Sequence, residues 1–64
     1  MWTTIYVATG YNWAKKVEES LKNEGFLVKL NDFSAEDEDD LYEILVLQYE
    51  ARDAQQALLE LGIL

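Results

Sequence analysis

Sixty-four residues carry 13 acidic and 5 basic side chains, a net charge of −8, with neither cysteine nor histidine. A chain of that length makes one domain, 1–64, and buries only about 60% of the surface its unfolded form exposes, so its stability is marginal. The composition excludes disulfides, the usual zinc ligands and any Ser–His or Cys–His nucleophile, and the charge repels nucleic acid and anionic membranes.

Trp2 to Ala8 is rich in β-branched and aromatic residues and predicts the first strand. Strict alternation puts Ile5 and Val7 on one face and Trp2, Thr4 and Tyr6 on the other. Thr9-Gly10 breaks it. Tyr11 to Glu24 predicts a helix, with Ala14, Val17 and Leu21 at i, i+3, i+7 and Glu18 and Lys22 forming an i,i+4 pair. Gly25 stands where a left-handed residue stops a helix, which would pack Phe26 back on Leu21. Phe26 to Leu30 predicts the second strand, with Phe26, Val28 and Leu30 on one face. Asn31 to Asp40 is a polar, acidic loop. Leu41 to Tyr49 predicts the third and most apolar strand, and Glu50 to Leu61 the second helix, with Ala51, Ala54, Leu58 and Leu61 as its inner stripe. Leu58-x-x-x-Gly62-Ile63-Leu64 repeats Leu21-x-x-x-Gly25-Phe26-Leu27. Ile63-Leu64 then reads as the opening of a fourth strand, or the repeat is the shared chemistry of helix ends.

A strand–helix–strand crossover makes the first two strands parallel. The third follows through a hairpin-type loop and is apolar enough to lie centrally. The expected fold is α+β, a β-α-β-β-α two-layer sandwich of truncated ferredoxin-like type. Its three-stranded sheet has order 1-3-2, with both helices on one face. The edge of the first strand is then open, and open edges invite another chain. The helix-free face would carry Trp2, Thr4, Tyr6, Leu27, Leu45 and Leu47, relieved by Lys29 and Glu43. Such an apolar surface marks an interface. A homodimer is expected, through this face or the first-strand edge, together with an unidentified protein partner; neighbouring side chains covering the patch in a monomer are the alternative.

Two places suggest chemistry. The turn Thr9-Gly10-Tyr11, with Lys15 and Lys16 on the helix it opens, holds two of the five basic residues at a helix N-terminus, where amides bind anions. A small anion or nucleotide docking there is one reading; Lys15 and Lys16 paired with Glu18 or Glu19 in solvent is the other. Asp32, Glu36, Asp37, Asp39 and Asp40 could chelate a hard cation, although the EF-hand spacing is absent and a solvated loop explains them as well. Ser20 and Ser34 have no recognisable activating base, so no catalytic residue and no cofactor is expected, and the chain does not read as an enzyme. The longest strictly aliphatic run, Ile44-Leu45-Val46-Leu47, is far too short to span a bilayer. No basic-then-apolar leader opens the chain, so the expected location is cytoplasmic.

Met1-Trp2-Thr3 with Ile5-Tyr6-Val7-Ala8, then Glu24 to Leu30, and Glu43-Ile44-Leu45-Val46 resemble three landmarks of a group of very short, uncharacterised bacterial proteins. Members sometimes carry a glutamate decarboxylase label, which is misplaced for this chain because a pyridoxal-phosphate enzyme needs a far larger scaffold. The group has a proline turn after the residue matching Val46; here Leu47-Gln48-Tyr49 follows, so the third strand is expected to run longer. The architecture is also similar to tiny ferredoxin-like signalling proteins, akin to half-sized PII regulators. The resemblance implies a small regulatory or interaction protein and assigns no site residue.

Overall fold

The computed structural model describes residues 1–33 and 40–64. The chain runs β1 (Trp2–Thr9), α1 (Tyr11–Asn23), β2 (Val28–Asp32), β3 (Leu41–Leu47), a 3-10 turn (Gln48–Glu50) and α2 (Ala51–Glu60). β3 pairs antiparallel with both β1 and β2, giving the order β1-β3-β2 that the crossover argument predicts. β1 and β2 are therefore parallel to one another.

Burial along β3 alternates residue by residue. Tyr42, Ile44 and Val46 are buried, while Leu41, Glu43, Leu45 and Leu47 are half-buried. Ala14, Val17 and Leu21 of α1 and Ala54, Ala57 and Leu58 of α2 share a single core cluster with those buried β3 residues. Both helices thus cover one face of the sheet, and among the described residues no layer covers the other.

The two helices end alike. Gly25 and Gly62 have φ of +99° and +78°. After α1 the Phe26 N–H donates to the Leu21 carbonyl at 3.2 Å and the Gly25 N–H to Lys22 at 3.0 Å. After α2 the Ile63 N–H donates to Leu58 at 2.9 Å and the Gly62 N–H to Leu59 at 3.1 Å. These are the paired 6→1 and 5→2 bonds of a Schellman cap. Phe26 and Ile63, the residues just past each glycine, both pack on the core.

Three expectations need correction. First, β1 does not alternate strictly: Thr4 pairs with Leu45 but Tyr6 with Ile44, so Ile5 is an extra residue in a β-bulge. Beyond the bulge the faces exchange. Tyr6 turns to the helices and Val7, half-exposed, turns away from them. Second, β2 begins at Val28, because Phe26 is consumed by the cap of α1. Third, β3 ends at Leu47 instead of continuing to Tyr49. The Gln48 N–H donates to the Met1 carbonyl at 2.7 Å as the last bond to the β1 end of the chain. The 3-10 turn then carries the chain toward the helix layer.

Candidate interaction surface

Strand pairing fixes what lies on the helix-free face. The half-buried residues of β3 face Trp2, Thr4, Val7 and Thr9 of β1 on one side and Lys29 and Asn31 of β2 on the other. Opposed residues in antiparallel strands share a face and touch. Across the middle runs a polar bar. Glu43 accepts from Thr4 Oγ1 at Oε2, 3.0 Å, and from Asn31 Nδ2 at Oε1, 2.8 Å. The bar links all three strands through one carboxylate.

On one side of the bar lie Trp2, Leu45 and Leu47. Lys29 reaches across the central strand to place its ammonium 5.0 Å from the Trp2 ring centre, a cation–π contact. On the other side lie Val7 and Leu41. The face is therefore two apolar patches separated by a satisfied carboxylate.

Of the six residues expected at an interface, Trp2, Thr4, Leu45 and Leu47 stand together here. Tyr6 does not. Its hydroxyl accepts from the Trp13 indole N–H of α1 at 3.2 Å, on the helix side. Leu27 precedes β2 and is 61% exposed, beside the sheet and outside its pairing. Sequence reasoning missed Val7, because nothing in Thr-Ile-Tyr marks a bulge.

The turn into α1 does not gather its candidates. Thr9 belongs to the sheet, opposite Leu41, and Gly10 donates its N–H to the Asp40 carbonyl at 2.8 Å. The Tyr11 ring meets Tyr42 edge-on at 5.7 Å. Lys15 turns toward Glu18 (2.8 Å), which also holds Lys22 at 3.4 Å. The hydrogen bond to Glu18 raises the Lys15 pKa above its ordinary value. Burial pushes the Glu18 carboxyl up, but the Lys15 hydrogen bond and the charges of Lys22 and Lys15 outweigh it and hold the pKa below its ordinary value. Burial, followed by the negative charges of Asp32 and Asp40, raises the Tyr42 hydroxyl.

Lys16 takes the other flank of α1. With Trp13, Glu19, Ser20 and Asn23 it lines an open groove of about 370 Å³, closed by Leu61 and Ile63 beyond α2. Of the suggested cation ligands, Glu36, Asp37 and Asp39 lie outside the described residues. Asp32 ends β2 and Asp40 precedes β3. Among the described residues no group of three or more acidic side chains is placed to hold a metal ion, and no helix is long and apolar enough to cross a membrane.

No protein-family model matches this chain, and no curated protein or solved structure matches it either.

Proposed function

We propose that the chain is a non-catalytic association module, a cytoplasmic homodimer that offers its open sheet to a protein partner, and that it is a relative of the very short bacterial proteins it resembles. One observation carries this reading: the helix-free face of the sheet holds Trp2, Leu45 and Leu47, each only half-buried, beside a strand whose outer edge has no neighbouring strand among the described residues. Apolar and aromatic side chains gathered outside the core suit a contact surface. A domain this small also gains stability from a second subunit. Equilibrium sedimentation over a concentration series tests it. A dimer mass supports the reading, and a monomer at every concentration reached removes it.

A second reading, a sensor of small anions or nucleotides, is favoured by Lys16 beside the 41%-exposed Trp13 in the groove along α1. A ligand bound only by the native state raises the melting temperature. Nucleotides that raise it in the native protein, and no longer do so in Lys16→Ala, support this reading; no shift with any nucleotide ends it.

A further inference from the structure

We infer that the dimer forms through the outer edge of β1, antiparallel to β1 of a second copy with the two-fold axis at the Ile5 bulge, so that two three-stranded sheets become one of six strands. This inference rests on the homodimer reading and adds which surface joins the copies and in which register. Among the described residues, both outer edges of the sheet, on β1 and on β2, lack a neighbouring strand. They are not equivalent. β2 has five residues and carries Lys29 and Asp32, the short, charged form that discourages pairing. β1 has eight residues, no proline and no charged side chain, in a chain of net charge −8. Two copies meet there with no charged side chain on either pairing strand.

The bulge makes β1 match itself. Opposed residues of an antiparallel pair must share a face. If Ile5 and Tyr6, both directed to the helix side, count as one position, β1 has seven. Trp2, Thr4, Val7 and Thr9 occupy the helix-free positions, and Thr3, the bulge pair and Ala8 the helix-side ones. The pattern reads the same in both directions. A two-fold axis at the bulge sets Thr4 opposite Val7 of the second copy, Trp2 opposite Thr9 and Thr3 opposite Ala8, each with a residue of its own face. Without the bulge, Thr4 and Val7 would lie on opposite faces and this register would be forbidden. Packing the two helix-free faces together is the poorer route. It takes the Glu43 carboxylate out of water with two neutral groups, Thr4 and Asn31, as its hydrogen-bond donors, and neutral donors do not offset the desolvation of a charge.

The chain has no cysteine of its own, so introduced thiols report the register directly. Opposed residues in an antiparallel pair lie about 4.5–5.5 Å apart at Cα, within the span of a disulfide. Under mild oxidation, Thr4→Cys mixed with Val7→Cys should give a covalent dimer of twice the monomer mass, while Thr4→Cys alone and Leu45→Cys alone should stay uncoupled. A non-covalent dimer that couples through Leu45→Cys and not through the mixture places the interface on the face; the edge inference then fails and the homodimer stands. A wild-type protein that sediments as a monomer, with no coupling in the mixture, overturns both.

Discussion

The indole N–H of Trp13 on α1 donates to the hydroxyl of Tyr6 on β1 at 3.2 Å. The bond exists because the bulge at Ile5 moves Tyr6 to the helix side, where strict alternation would have kept it off. Tyr6→Phe keeps the ring and removes the acceptor. Trp13 is partly exposed, so water replaces the lost partner, and the cost should be at most about 0.5–1.5 kcal/mol. The sharper readout is nuclear magnetic resonance. The indole N–H signal of Trp13, assigned by its loss in Trp13→Phe, should move in Tyr6→Phe while that of Trp2 stays in place. An unmoved Trp13 signal would put Tyr6 back on the helix-free face.

The matched helix ends give a second prediction. A Cβ added at Gly25 or Gly62 meets nothing within 4 Å, so Gly→Ala at either position carries only the backbone penalty for positive φ. That penalty is about 1–2 kcal/mol. Against the roughly 0.05–0.15 kcal/mol per residue that holds a domain folded, it is a large share for 64 residues. Gly25→Asn should cost less than Gly25→Ala, since asparagine tolerates the left-handed region better. Urea midpoints with unchanged slopes would report this. Equal costs for Ala and Asn would contradict a backbone origin.

Acid stability should depend on Glu18. Its carboxyl is held between Lys15 and Lys22 with a pKa below the ordinary value. The folded state therefore binds this proton less tightly than the unfolded state does. The stabilisation is complete above the ordinary glutamate range and is lost as pH falls through the lowered folded value. Glu18→Gln removes the titrating group, so the variant should be less stable than wild type at neutral pH and converge on it in acid. Urea unfolding at a series of pH values gives the difference curve. A constant difference would mean that packing, and not the ion pairs, accounts for the effect.

How far this molecule could be read from its sequence depended on the range of the interaction involved. Helix ends are local, and Leu21-x-x-x-Gly25-Phe26 specified its cap through one residue with free φ and one apolar contact. The central place of β3 was legible because Ile44-Leu45-Val46-Leu47 is apolar on both sides, which suits a middle strand. The bulge was not legible. It depends on how β1 meets β3 across the sheet, and a one-residue change of register moves every later side chain to the other face. That single feature displaced Tyr6 and Val7 from their expected faces. It also produced the seven-position symmetry of β1, which strict alternation over Trp2–Thr9 does not contain. The polar bar was half legible: Glu43 was expected on the helix-free face, but its partners Thr4 and Asn31 follow only from the pairing of β3 with both neighbours.

Glu43 offers the last prediction. Its carboxylate separates the Trp2–Leu45–Leu47 patch from Val7 and Leu41, and two donors from the flanking strands hold it in place. Glu43→Leu joins the two patches into one apolar surface. Thr4 and Asn31 are exposed and regain water as a partner, so the fold should survive with a change of about 1 kcal/mol or less. Association should change far more. A continuous apolar sheet face favours stacking on another sheet, and edge-paired dimers would then assemble face to face into species of four chains or more. Glu43→Gln is the control, because an amide keeps the middle of the face polar. Sedimentation should show concentration-dependent growth beyond the wild-type mass for Glu43→Leu and none for Glu43→Gln. If Glu43→Leu kept the wild-type mass at every concentration, the carboxylate would not be what holds the sheet faces apart.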